Sequence, residues 1–160
     1  RFARDLQLSD FHQGENLILL GSSSANPWVE LFEDQLDFHI TLDQPRRVTV
    51  TVSNPKPSDP KILTTEVSSG TTGEGYAALA LVNGLDNRGA VLIAQGTNME
   101  GTDVAGSLAM TRPEELAGVL RGCGIDPTNP SARFEILLRL NATAGSALKS
   151  SILATRCRVK

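Results

Sequence analysis

Val91-Leu92-Ile93-Ala94-Gln95-Gly96-Thr97-Asn98-Met99-Glu100-Gly101-Thr102 decides how this chain is read. An apolar run passes into a glycine-bearing loop and then into a helix start. Leu17-Ile18-Leu19-Leu20 followed by Gly21-Ser22-Ser23-Ser24-Ala25-Asn26-Pro27 repeats that order. Short continuous apolar runs are consistent with strands covered on both faces. In an open α/β sheet, parallel strands leave such loops on one edge, where ligands bind.

Working outward, Asn26-Pro27 is a helix start: Asn caps free backbone N–H groups and Pro suits the first helical position. Trp28, Leu31, Phe32 and Leu36 form one apolar stripe, with Glu30, Glu33, Asp34 and Asp37 on the wet side. Trp28 at this spacing reads as core first and as a stacking platform second. Phe38–Leu42 and Arg47–Ser53 are strands, the latter with Val48, Val50 and Val52 alternating with Thr49 and Thr51. The stretch 54–60 is a proline-rich loop, Ile62–Val67 an edge strand and 68–75 a Gly/Ser/Thr loop. Tyr76–Val82 and Ala90–Gln95 are joined too tightly for a parallel crossover and form an antiparallel hairpin. Thr102–Met110 is a helix in which Gly106 costs ~1 kcal/mol relative to Ala, which suggests close approach to the sheet or to a ligand. Thr111-Arg112-Pro113-Glu114 matches a capping box for a helix ending at Gly122. Phe134–Leu140 and Ser151–Arg158 form a last antiparallel pair. At the start, 1–8 reads as a short strand and Ser9-Asp10 as the cap of a brief helical turn. The expected fold is one α/β domain over 1–160: a mixed sheet, partly parallel and partly antiparallel, with helices packed on it, Rossmann-like. The chain begins at Arg1 rather than Met, so the domain is expected to be a fragment of a longer protein.

Composition narrows the function. A net charge of -3 gives no broad basic field, which argues against this segment gripping nucleic acid by itself. No apolar run approaches the ~20 residues that span a bilayer, and no signal peptide is visible, so neither a membrane nor export is expected. The two cysteines, Cys123 and Cys157, fit no zinc or redox spacing. They read as reduced thiols of a cytoplasmic protein, with a disulfide left open. The two histidines make a histidine-rich metal site unexpected, and His39 alternates with Phe38 and Ile40 as an outward strand residue.

The segments Leu17–Trp28, Tyr76–Val82, Val91–Gly106 and Phe134–Thr155 resemble an uncharacterised domain of bacterial, notably acidobacterial, proteins. The shared motifs are Gly21, Asn26 and Trp28 in the first loop and Gly101, Thr102, Ala105 and Gly106 at the second. In those proteins the similar domain lies C-terminal to a winged-helix DNA-binding domain of transcription regulators. The resemblance implies a regulatory context and an attached N-terminal DNA-binding domain, and no particular chemistry.

The candidate ligand-binding residues are Gly21, Ser22, Ser23, Ser24, Asn26, Trp28, Gly96, Thr97, Gly101 and Thr102. Helix N-termini with hydroxyl donors suit a phosphate, a carboxylate or a nucleotide. Against this stands the plain alternative, two connecting loops with ordinary caps. The first loop is neither a Walker A motif nor GxGxxG, and it is no nucleophile elbow. No catalytic residue, cofactor or metal is expected. Glu100 and Asp103 could be an acid pair, but as carboxylates at a helix start they read first as stabilising charges. Arg46-Arg47 and Arg156, Arg158 and Lys160 read as solvated strand edges or an interface. The leading expectation is a regulatory or sensor domain, not an enzyme, that binds a small ligand, an anionic one included, or a protein partner. The alternatives are an enzyme acting on nucleotide or sugar-phosphate substrates, and a homodimerisation module with Arg47–Ser53 or the last hairpin as its contact.

Overall fold

The computed structural model describes residues 3–12, 14–44, 47–66, 73–142 and 149–159. Alternating residues along the strands send side chains to two faces, and both faces of the main sheet are used. The strands are β1 (Leu17–Leu20), β2 (Phe38–Gln44), β3 (Arg47–Val52), β4 (Ile62–Glu66), β5 (Gly73–Asn83), β6 (Ala90–Gly96), β7 (Ala132–Ala142) and β8 (Lys149–Val159). The main sheet runs β1-β6-β5-β7-β8, and β2-β3-β4 form a second sheet. Among the described residues only β1 and β6 pair in parallel, Leu17 opposite Val91. The other pairings are antiparallel. The α/β class with a mixed sheet therefore holds, but the doubly wound Rossmann arrangement does not appear: β-hairpins replace the crossover helices that would make neighbouring strands parallel.

Helices α1 (Met99–Met110) and α2 (Pro113–Gly122) lie on one face of the main sheet. There Val104, Ala105, Leu108 and Leu120 pack on Ala77, Leu79, Ala94 and the even-numbered residues Phe134 to Leu140. The opposite face is shared. Near its β1 end, the 3-10 segments Leu8–His12 and Pro27–Gln35 bury Phe11, Val29, Phe32 and Leu36 against Leu19, Ala80, Val82, Val91 and Ile93. Farther along, the small sheet buries Phe38, Ile40, Val48, Val50 and Val52 against Tyr76, Ala78, Leu137 and Ala154. The result is a layer of helices, a five-stranded sheet, and a layer made of the small sheet and the 3-10 segments.

Several expectations change. Residues 3–5 form a 3-10 turn rather than part of a strand. The segment after Asn26 starts where expected, with Asn26 Oδ1 accepting from Trp28 N at 3.3 Å, but it is a 3-10 helix. Asp37 is buried rather than on the wet side. β1 is an edge strand, so Ile18 and Leu20 are exposed, not covered on both faces. The capping box does not form: Arg112 is the N-cap without a side-chain bond, and Thr111 Oγ1 instead donates to Ser107 O at 3.0 Å. β3 is the central strand of the small sheet, so its edges are unavailable for the dimer contact expected at Arg47–Ser53. Cys123 and Cys157 are not reduced thiols but a disulfide that ties the end of α2 to β8. Of the Gly/Ser/Thr loop expected at 68–75, residues 68–72 lie outside the described residues, as do Arg46 and Lys160, whereas Gly73–Gly75 are the start of β5 and not loop. Among the described residues no helix is long and apolar enough to cross a membrane.

Candidate functional site

The parallel pairing of β1 and β6 brings both sequence-selected loops to the same end of the sheet. Gly21 N donates to Ala94 O at 2.9 Å and locks the first loop's entry to β6. Gly21 has a φ of +94, a left-handed conformation that glycine adopts without penalty. Beyond it the loop closes on itself. Ser22 and Asn26 are buried, Ala25 N and Asn26 N both donate to Ser22 O, and Ser22 Oγ lies 2.9 Å from Ser24 Oγ. Ser23 is half-buried and Ser24 exposed. Asn26 Nδ2 donates to Leu20 O at 3.2 Å. Trp28 is core: its ring packs on Phe11 at 4.8 Å, and its Nε1 donates to Ala3 O at 2.7 Å.

The second loop is equally committed. Thr97 Oγ1 accepts from Tyr76 N at 3.0 Å, and Thr97 N donates to Tyr76 O at 2.9 Å. Asn98 caps α1 by accepting from Gly101 N at 2.8 Å, and its carbonyl accepts from Thr102 N. A Cβ on Gly96 would stand 2.3 Å from Thr102 N, and one on Gly101 2.8 Å from Tyr76 O. These glycines let strand and helix touch. With the Gly101 N–H already used, and Glu100 and Asp103 exposed in the first turns of α1, the helix start offers an anion little.

What this end of the sheet does offer is apolar. A groove of about 550 Å³ runs between β1 and α1, floored by Leu92 and Ala94 and walled by Ile18, Leu20, Met99, Gly106 and Met110. Thr102 and Asp103 also line it. The exposures are 55% for Ile18, 58% for Leu20, 83% for Met99 and 56% for Met110. These are the chain's two methionines. A Cβ on Gly106 would meet nothing within 4 Å, so this glycine serves no approach to the sheet and instead leaves the groove wide. The sequence reading found the two loops but not the groove. The signal was present: both methionines flank the second loop's helix, and methionine is favoured at adaptable binding surfaces.

Two further constellations were not foreseen. At the opposite end of the sheet a cavity of about 170 Å³ is lined by Gln35, Asn83, Arg133, Glu135, Arg156 and Arg158, among others. Its charges are committed to one another. Glu135 accepts from Asp37 N at 2.8 Å and from Phe38 N at 3.1 Å. Arg156 binds Asp37 at 3.2 Å and Asp59 at 2.6 Å, and its guanidinium sits 5.0 Å over the Phe38 ring. Arg158 reaches Asp37 at 2.7 Å. Burial pushes the Glu135 carboxyl above its ordinary pKa, against the two backbone N–H groups that favour its charged form. Burial also opposes the charge on Asp59, but the Lys56 N–H and the Arg156 guanidinium together hold its pKa low. Arg156 is thus a buried part of an inter-sheet seam and not a solvated edge, while Arg158 joins the seam from an exposed position on the edge strand β8, as expected of a solvated edge.

The second constellation is Glu33, His39 and Ser53. His39 faces away from the small sheet's core, as its alternation predicts. Its Nδ1 lies 2.6 Å from Glu33 Oε2 and its Nε2 3.0 Å from Ser53 Oγ. A carboxylate only accepts, so Nδ1 donates to Glu33; in the neutral imidazole Nε2 then accepts the Ser53 hydroxyl proton. This is the relay by which an imidazole activates a serine. Residues 33, 39 and 53 share no local motif that would reveal it.

Gln95 is the remaining anomaly. It is 1% exposed, and neither its Nε2 nor its Oε1 has a hydrogen-bond partner. Comparison of the chain with family models, with curated proteins and with solved structures finds no match.

Proposed function

We propose that this chain is a binding domain of regulatory type, and that its site is the apolar groove between β1 and α1. One observation carries the proposal: both methionines and two β1 residues stand exposed around one concave apolar surface. Contiguous apolar exposure of this kind marks a binding surface, and scattered single residues do not. The occupant is an apolar molecule or the apolar face of a protein segment. The anionic ligand expected from the loops loses support, since among the described residues Asp103 is the one charged residue lining the groove. Within the context that the family resemblance implies, occupancy would be read by an attached DNA-binding domain. That coupling requires an occupant with different affinities for two states of the whole protein.

The test uses Nile red, a neutral apolar dye, and the ¹³C-labelled methyl groups of the two methionines. Binding should move both methyl signals, and Gly106→Phe should abolish the effect by filling the groove. Unchanged methyl signals at saturating dye would end this reading. The Cys123–Cys157 bridge supports an oxidising compartment over the cytoplasm that the composition suggested, because bridges persist in oxidising compartments and are rare in the cytosol.

A second reading, an enzyme, is favoured by the Glu33–His39–Ser53 relay rather than by the two loops. It would make Ser53 a nucleophile toward activated esters, with His39 taking the hydroxyl proton and returning it to the leaving alcohol. A fluorophosphonate probe should then label Ser53, and His39→Ala should prevent labelling. Labelling no faster than that of other serines would remove this reading.

A further inference from the structure

We infer that the occupant of the β1 edge is an extended, basic peptide segment of another protein, which adds to the main sheet as a sixth strand beside β1. This rests on the groove being the binding site and names the partner that its surroundings select.

The first observation is the open backbone edge. Among the described residues β1 pairs only with β6. Since Gly21 N points at Ala94 O, alternation along the strand turns the Ile18 N–H, the Ile18 C=O and the Leu20 N–H away from β6. The Leu20 C=O also points away and is closed off by Asn26 Nδ2. The edge therefore offers a short ladder at Ile18 and Leu20, with a built stop at Asn26. An unpaired edge of this sort is a template for strand addition.

The second observation is that this edge lies between two grooves. One is the apolar groove already described. The other, of about 360 Å³, lies on the opposite face of β1 and is lined by Leu6, Asp10, Phe11, Glu15, Leu17 and Leu19. Ile18 borders both. An added strand sends alternate side chains into each groove. On the α1 side it would meet Ile18, Leu20, Met99 and Met110, which select apolar residues. Methionine flanks tolerate several shapes.

The third observation is charge. The charged residues lining the two grooves are Asp103 on one face and Asp10 and Glu15 on the other; Asp10 is already engaged, accepting from Gln7 N at 2.8 Å, so Asp103 and Glu15 carry the argument, and among the described residues no Lys, Arg or His lines either groove. The incoming strand is therefore apolar on one face and carries Lys or Arg on the other and at its ends. The same charges argue against a second copy of this chain. A second β1 edge brings the same acidic linings and no cation to meet Asp103 and Glu15.

The experiment titrates the full chain with the peptide Lys-Ile-Lys-Ile-Lys-Ile-Lys while following both methionine methyl signals. Met99→Leu and Met110→Leu assign the signals. Binding should shift both, weaken with added salt, and fall at least tenfold for the analogue with Glu in place of Lys. It should fall at least tenfold again for a peptide of the same side chains whose backbone N–H groups are methylated on one edge. Gly106→Phe, which nothing in the fold opposes, should block it while leaving the melting temperature intact. If the N-methylated peptide binds equally well, or the Glu peptide does, the inference is overturned, though a groove that still takes Nile red survives. Methyl shifts that depend on protein concentration alone, with no response to the Lys peptide, would make a second copy the occupant and also overturn it. Silence toward every peptide while Nile red binds would reduce the site to one for small apolar molecules. Silence toward both would end the groove reading as well.

Discussion

The two ends of the main sheet invert the usual order of a protein. At the β1 end, Ile18, Leu20, Met99 and Met110 are apolar and exposed. At the Asn83 end, Asp37, Glu135, Asp59 and Arg156 are charged and enclosed. The difference teaches where to look for function. The buried charges have spent their bonding on each other and hold the small sheet to the large one. The exposed apolar groups have no such covering among the described residues, which is why the groove they line is the proposed site.

Breaking the seam should have the largest effect. Arg156→Ala would leave Asp59 enclosed without its guanidinium partner and Asp37 with the half-exposed Arg158 alone, a loss of about 3–5 kcal/mol by analogy with other buried pairs. Denaturant titration reads it. A loss well under 1 kcal/mol would make the seam an ordinary surface network and undo the contrast. The next lever is the Cys123–Cys157 bridge, which spans 34 residues. The double Ser variant should lose about 2–4 kcal/mol, seen as a lower melting temperature that no longer responds to reductant.

Two glycines of α1 sharpen the comparison with opposite signs. Gly101→Ala forces a Cβ to 2.8 Å from Tyr76 O and should cost about 1–3 kcal/mol. Gly106→Ala meets nothing and should gain ~0.5–1 kcal/mol in thermal melts. A loss at Gly106 would mean the groove wall is already packed.

The smallest effect is the pH profile. The raised pKa means that folded Glu135 keeps its proton at a pH where the unfolded chain has released one. Its contribution is thus complete below the ordinary carboxyl value of 4.5 and is lost as pH rises through the folded value. Glu135→Gln keeps an oxygen for Asp37 N and Phe38 N but cannot titrate. Its melting temperature should fall less than that of the native chain between pH 4.5 and neutrality. Parallel profiles would show that Glu135 is charged throughout.

Strands were legible where alternation or hairpin spacing spoke, as in Val48-Thr49-Val50-Thr51-Val52 and the tight link from β5 to β6. The loops were legible as places, because Gly and Asn have local jobs there. The seam was not, since Asp37 meets Glu135 and Arg156 at separations of 98 and 119 residues. Nor was the exposure of β1: Leu17-Ile18-Leu19-Leu20 reads the same whether a second layer covers it or leaves it bare. At Thr111-Arg112-Pro113-Glu114 a sound local signal lost to geometry, because Thr111 bonds back into α1.

The attachment of β1 also bears on the order of folding. The strand pairings within the small sheet are local, as is the hairpin pairing of β5 with β6. β1, by contrast, joins β6 only after a long loop is closed, as in the bond from Ala90 N to Asn16 Oδ1 across 74 residues. Such closure is entropically costly, and short edge strands held on one side open readily. The amides of β1 that bond to β6 should therefore be among the first of the sheet to exchange with deuterium. A strand bound on the free side would slow that exchange, so a partner would act here as the last piece of the folding reaction.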